Sequence, residues 1–289
     1  MPNQQRMFSR KNFMHKYNIS ESNFRKAGVS WDELTAIRAH FESRLSVFNE
    51  FMNGVLNSLN RCLSMHSVKI RIKDSEHLIE KIIRKNIEAA DNPDGPGVRI
   101  GIDNYTEYIN DIVGIRVLHL FKDDWVPIHA FISDNFTVAA PPCAYIREGD
   151  LKNIIDTYEQ NGCVVLNHPF GYRSVHYVIY GGGDRSLKAE IQVRTLFEEA
   201  WSEIDHKIRY PYFPDDEILR IYSLLLNRLA GSADEISSYI KLIKAEIENM
   251  KYDSVEKSID LLDIIEQKNE EIEQLRARLK KAESTANRE

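Results

Sequence analysis

The sequence has little that would staple it, carry it across a bilayer or fix it to nucleic acid. Its three cysteines, Cys62, Cys143 and Cys163, are an odd number with no C-x-x-C spacing, which suggests neither a disulfide framework nor a zinc site. They read as reduced structural thiols. No run approaches the roughly 18 uncharged apolar residues of a membrane span, and the polar start "MPNQQRMFSRKNF" lacks the apolar segment of a secretory signal. The expected location is the cytoplasm, with no membrane partner. A formal net charge of −6 argues against indiscriminate binding to nucleic acid and leaves room for a local basic pocket. Also missing are the G-x-x-x-x-G-K-[ST] phosphate loop, the dinucleotide G-x-G-x-x-G, H-E-x-x-H and the G-x-S-x-G elbow.

What is present suffices for a globular core, with 43% hydrophobic residues in a chain of 289. Residues 1–65 read as a helical segment. In "SWDELTAIRAHFESRLSVFNEFMNGVLNSLNRCL", Ser30 is a candidate N-cap with Glu33 three residues on, and Leu34, Ile37, Phe41, Leu45 and Phe48 recur at helical spacing. The pattern predicts a long amphipathic helix packed on the rest of the chain. Residues 66–212 alternate between strand and helix signals. "HSVKIRIK", "NDIVGIRVLHLF", "NGCVVLNH", "YRSVHYVIY" and "SLKAEIQVRT" read as extended, "DSEHLIEKIIRKNIEAA" as helix, and "DNPDGPGVRIGIDN" as loop. The sum is an α/β (α+β) fold, a mixed β-sheet flanked by helices. Residues 213–289, beyond "YPYFP", are a helical extension in which Ile265, Ile272 and Leu279 keep a seven-residue spacing for two heptads. An exposed helix that helps to form a homo-oligomer is expected there.

The chemistry-bearing residues sit on strands. In "SLKAEIQVRT", Leu187, Ala189, Ile191 and Val193 take one face and Lys188, Glu190, Gln192 and Arg194 the other. The three glycines of "YGGGDRS" read as a hairpin turn. From Lys69 to Lys85 there are six Lys or Arg (Lys69, Arg71, Lys73, Lys81, Arg84, Lys85) against Asp74, Glu76 and Glu80, a local net of +3. On charge alone this is an ordinary solvated strand edge and helix face; it is also what a polyphosphate requires. Asp111 and Glu190 are carboxylates on otherwise apolar strands. They are either surface acids or the pair of hard ligands that holds Mg²⁺ with nucleotide phosphates. Tyr172, after Gly171 and four residues before His176, is either an edge tyrosine or a platform for a base.

Five segments occur in the order "RIKDSEHLIEKI", "DIVGIRV", "GYRSVHY", "AEIQVRT" and "WSEIDHKIRY". The series resembles the synthetase domain of the RelA/SpoT family in its small, synthetase-only form. The resemblance implies a nucleotidyltransferase-like domain over residues 66–212 and an enzyme, a GTP diphosphokinase, that transfers the β,γ-pyrophosphate of ATP to the 3′-hydroxyl of GTP or GDP and releases AMP. It implies Mg²⁺ as cofactor, held by Asp111 and Glu190, with Glu190 as ion ligand or general base. It further implies ATP binding by Arg71, Lys73, His77, Lys81, Arg84 and Arg116, the two arginines Arg71 and Arg116 flanking the adenine. Tyr172 would stack on the guanine, with His176, Gln192 and Arg194 ordering the acceptor. Two positions depart from the family pattern: His77 stands where a serine is usual, and Asp205 where a glutamate precedes the histidine. Two alternatives stand beside this reading. One is a toxic relative that pyrophosphorylates the 3′ end of tRNA or an adenosine nucleotide, with Arg10, Lys11, Lys16, Arg25 and Lys26 as a landing patch. The other is a catalytically silent nucleotide-binding scaffold.

Overall fold

Serine and aspartate caps open the helices that build the first half of the molecule. The computed structural model describes residues 8–92, 97–181, 186–209 and 216–286. Within them the elements run α1 (Arg10–Lys16), α2 (Glu21–Lys26), α3 (Trp31–Ser43), α4 (Leu45–Leu59), β1 (Ser67–Ile72), α5 (Ser75–Asp91), α6 (Tyr105–Tyr108), β2 (Val113–His119), α7 (Trp125–Asn135), β3 (Cys143–Ile146), α8 (Lys152–Gln160), β4 (Val164–Asn167), β5 (Ser174–Tyr180), β6 (Lys188–Thr195), α9 (Leu196–Arg209) and α10 (Glu217–Ala286). Ser30 accepts from the Glu33 amide at 3.1 Å, the expected N-cap. The single long helix expected after it is instead two, because Arg44 leaves helical geometry with ψ near 4°. Leu34, Ile37, Phe41 and Phe48 are all buried, as their spacing requires.

The six strands form one mixed sheet in the order β1-β2-β6-β5-β3-β4. β2 runs parallel to β6, and β3 to β4, while the other neighbours are antiparallel. One face is apolar. Ile115, Val117, Ala189, Ile191, Val193, Val175, Tyr177, Ile179 and Ala144 join Leu78, Ile79, Ile82 and Ile83 of α5 and Trp125, Ile128 and Ile132 of α7 in one core with α1 to α4. Val68, Ile70 and Ile72 of β1 pack on it. Burying aliphatic side chains at roughly 1.5 to 3 kcal/mol each makes this face the main source of stability.

Strand β3 escaped the sequence reading, since a four-residue run after two prolines carries too little alternation to distinguish it from loop. The expected turn at Gly182 and Gly183, the loop residues Pro93, Gly95 and Pro96, and the "YPYFP" segment fall outside the described residues. The chain divides into two compact units, Met1–Asp234 and Glu235–Glu289. The second is helical and exposes Ile236, Ile240, Ile243, Ile247 and Ile265; the side chains of Ile272 and Leu279 lie outside the described residues. The cysteines are free, as expected. No helix among the described residues is long and apolar enough to cross a membrane.

Candidate active site

The second face of the sheet is where the polar side chains meet. Register sets their order: Lys69 pairs with Arg116 and Arg71 with Gly114 across β1 and β2. Gly114 then pairs with Glu190, and Arg116 with Gln192, across β2 and β6. On β5, His176 lies opposite Gln192, and on β3, Tyr145 lies opposite Ser174. Because residues two apart share a face, five strands present one continuous row of functional groups. Arg71, Gly114, Arg116, Tyr172, Gln192 and Arg194 line a cleft of about 400 Å³, with Ser202, Glu203 and His206 of α9 as its opposite wall. Arg71 lies over Gly114 so closely that a Cβ there would stand 3.3 Å from its Nε.

Two clusters define the chemistry. At the first, Asp111 sits in the turn just before β2, buried, with Lys73 Nζ at 2.8 Å from Oδ2 and Lys81 Nζ at 2.9 Å from Oδ1. Lys73 comes just after β1 and is tied to the same turn by its amide, 2.9 Å from the Ile112 carbonyl. Burial alone would raise the Asp111 carboxyl, but the two ammonium groups outweigh it and hold it at about 2. Burial also lowers Lys73, against the opposing pull of Asp111. Two cations on one carboxylate leave a net positive pocket, ready to exchange that carboxylate for phosphate oxygens.

At the second, Glu190 Oε1 receives His176 Nδ1 at 3.1 Å and Oε2 receives the Gln192 amide at 3.1 Å. His176 Nε2 in turn meets the Tyr172 hydroxyl at 2.9 Å. With Nδ1–H donating to the carboxylate, Nε2 accepts from the phenol, so the ring tautomer is set by its neighbours. Burial pushes Glu190 up, yet the hydrogen bond from His176 wins and leaves it below its ordinary value. Burial raises Tyr172, with Arg194 opposing. The ring of Tyr172 also meets Tyr145 at 5.9 Å and His168 at 5.3 Å.

Asp111, Lys73 and Lys81 are therefore brought together, as are Glu190, His176, Gln192, Tyr172 and Arg194, with Arg71 and Arg116 along the same cleft. Arg116 is gripped by Glu199 at 3.1 Å and by Glu203. Arg194 is fully buried, with Glu199 at 2.6 Å, Ser202 at 2.9 Å and the Tyr172 hydroxyl at 3.4 Å. Its guanidinium thus braces the site from behind. Arg84 pairs along its own helix with Glu80 and Glu88. His77 is exposed and meets Asp74 and the ring of Tyr17. These contacts engage the two residues with partners other than Asp111.

Sequence reasoning did not single out Tyr145, His168, Glu199 or Glu203. The first two carry no local signal, because only the β3–β5 pairing brings Tyr145 to the site. The glutamates did carry one: acids four apart on the helix after "QVRT" lie on one face, ready for a basic strand.

Among the described residues no group of three or more His, Cys, Asp or Glu is placed to hold a metal by protein alone. Asp111 and Glu190 are near enough that the charge of the first raises the second. One or two carboxylates completed by phosphate oxygens and water is the usual arrangement for Mg²⁺, so this donor set fits an ion that arrives with a nucleotide.

Comparison with known proteins places the chain by similarity of sequence and fold. Residues 70–215 match the family described as "Region found in RelA / SpoT proteins". The GTP pyrophosphokinase YwaC of Bacillus subtilis (strain 168) is 30% identical over 149 residues, covering 49% of this chain and 57% of that protein, so the match spans little more than half of that relative's length. The GTP pyrophosphokinase YjbM of the same organism is 25% identical over 185 residues, covering 62% of this chain and 71% of that protein. The small alarmone synthetase 1 structure from Bacillus subtilis shares the fold, with a TM-score of 0.53 at 22% identity over 72% of this chain and 99% of that one. The family match spans half of the chain and takes in both clusters around Asp111 and Glu190: the chain belongs to the RelA/SpoT family.

Proposed function

We propose that this protein is an ATP-dependent GTP or GDP 3′-pyrophosphokinase, with residues 66–212 as its catalytic part. The observation that carries this reading is the placement, on one sheet face, of a doubly lysine-bound carboxylate and a Tyr172–His176–Glu190 hydrogen-bonded chain. Relatives named GTP pyrophosphokinases support it.

In this reading Arg71 and Arg116 sandwich the adenine, and the grip of Glu199 and Glu203 keeps the Arg116 plane fixed for stacking. Lys73 and Lys81 turn from Asp111 to the β- and γ-phosphates. Asp111 and Glu190 would hold Mg²⁺, which would supply charge stabilisation for the transferred group. On the acceptor side Tyr172 offers its ring to guanine. Glu190, ionised at neutral pH, takes the proton of the 3′-hydroxyl as that oxygen bonds to the β-phosphorus and the bond to the α-phosphate oxygen breaks, releasing AMP. His176 and Gln192 keep the Glu190 carboxylate aimed.

The tRNA alternative is less well supported, since three of the N-terminal cations are paired within the chain: Arg10 with Glu21, Lys16 with Glu76 and Lys26 with Asp91. Self-association through the exposed isoleucines of the second unit completes the proposal. Incubation of the pure protein with ATP, Mg²⁺ and GTP or GDP tests it: AMP and a 3′-pyrophosphorylated guanine nucleotide are expected, and the absence of both rejects it.

A further inference from the structure

The backbone on both sides of Tyr172 is held from outside the sheet. Gly171 has φ +71, a left-handed conformation suited to glycine, and its amide closes a turn onto the His168 carbonyl at 2.9 Å. Its own carbonyl accepts from Asn227 Nδ2 at 2.7 Å. Asn227 lies on α10, is wholly buried, and receives Arg147 Nη1 at 3.3 Å on both Oδ1 and its carbonyl. On the other side of Tyr172, Arg173 is buried between Asp150 at 3.7 Å and Glu198 at 3.6 Å. Arg147 shares Asp150, at 3.5 Å.

One stripe of α10 serves this whole arrangement. Asn227, Gly231 and Asp234 are four and three residues apart and so lie on one side of the helix. A Cβ on Gly231 would stand 2.9 Å from Arg147 Nη1 and 3.1 Å from Arg173 Nη1, so the bare glycine is what admits both guanidiniums. Asp234 accepts from Thr195 Oγ1 at 3.1 Å and lies 3.8 Å from Lys122, which pairs with Glu198. None of the three belongs to the family-matched segment, 70–215.

We propose that Asn227 is a positioning residue for the acceptor nucleotide. By holding the Gly171 carbonyl from α10, it sets the angle at which the Tyr172 ring receives the base, and through the Tyr172 hydroxyl the orientation of His176 and Glu190. This rests on the acceptor role of Tyr172 given above. Gly231 and Asp234 complete the seat: the first makes room for the two arginines flanking the loop, and the second anchors the helix to the end of β6. A buried amide bonded at both its nitrogen and its oxygen is expensive to disturb, and here the disturbance lands on the acceptor side and not on the Lys73–Lys81 side.

The test compares Asn227→Ala and Asn227→Asp with the wild-type protein, varying ATP and GTP separately and measuring GTP binding by calorimetry and thermal unfolding in parallel. The aspartate keeps an oxygen for Arg147 and sets its second oxygen against the Gly171 carbonyl in place of the N–H. In both variants KM for GTP should rise about tenfold, the equivalent of one lost buried hydrogen bond, with KM for ATP within about twofold of wild type. Asn227→Asp should unfold within a few degrees of wild type. Parallel rises in both KM values, or wild-type GTP kinetics in Asn227→Asp, overturn the proposal. If the wild-type protein binds GTP but makes no pyrophosphorylated product, the catalytic reading fails alone. The positioning claim then stands on about tenfold weaker GTP binding by Asn227→Asp and falls on equal binding. Absence of GTP binding by the wild type overturns both.

Discussion

Replacing Asp111 by asparagine probes the donor end of the site most sharply, because stability and turnover should fall while affinity for a metal-free triphosphate rises. The carboxylate is buried and bonded by two ammonium groups at 2.8 and 2.9 Å. Its fall from the ordinary 3.8 to about 2 corresponds to about 2 kcal/mol of folding free energy at neutral pH. Asparagine also leaves Lys73 and Lys81 facing each other without their counter-charge, which brings the expected loss to about 2 to 4 kcal/mol. The folded-state pKa lies below the unfolded one, so the folded protein binds fewer protons between them. The stabilisation is therefore complete above about pH 4 and is lost as pH falls through about 2. Urea unfolding of the two proteins side by side should show the full gap at pH 7, with its linkage part falling to about half by pH 3. Meanwhile the pocket gains positive charge, so a metal-free triphosphate should bind more tightly to the variant even as turnover disappears. A variant as stable as wild type at pH 7, or a gap that ignores acidification, would refute the account of this cluster.

Glu190→Gln should retain ATP binding by calorimetry and lose at least about a hundredfold in turnover, as expected for removal of a proton acceptor; equal losses in both would argue for a folding role. Tyr172→Ala should weaken GTP by about tenfold to a hundredfold through loss of the stacking ring. Tyr172→Phe, which keeps the ring and removes the hydroxyl's bonds to His176 and Arg194, should affect turnover more than GTP affinity in the same kinetic assay. Gly171→Ala sets a side chain at φ +71 with its Cβ 3.2 Å from Asn227 Nδ2, so thermal unfolding should show a loss above about 1 kcal/mol. Arg194→Lys keeps the charge but not the fork shared among Glu199, Ser202 and Tyr172; it should raise KM for GTP more than for ATP.

The strands that carry the site were legible because each is short and alternates cleanly. On β6 the apolar set Ala189, Ile191 and Val193 is buried, which forces Glu190 and Gln192 onto the other face. On β1 the same rule exposes Lys69 and Arg71. What alternation does not give is register between distant strands, so neither the Tyr145–Tyr172 contact nor the opposition of Arg71 to Gly114 could be read. Direction around a helix was also hard to resolve where both sides offer partners. Arg84 carries the right charge beside Lys81, yet Glu80 and Glu88 one turn away on either side claim it. Lys81 lacks such neighbours and turns to Asp111. The break at Arg44 left no trace, since no proline or glycine marks it. Asn227 looked like any polar residue of an amphipathic helix; only its burial against Gly171 and Arg147 distinguishes it.

The central claim is that one sheet face joins a phosphate-donor cluster to an acceptor cluster. Its most direct measurement tracks ATP labelled in the γ-phosphate, with Mg²⁺ and with GTP, GDP, ATP and tRNA offered in competition, and identifies the labelled product by chromatography. The account predicts AMP in step with label on a 3′-pyrophosphorylated guanine nucleotide, abolished by Glu190→Gln. Label on tRNA or an adenosine nucleotide with none on guanine, or no transfer at all, would contradict it.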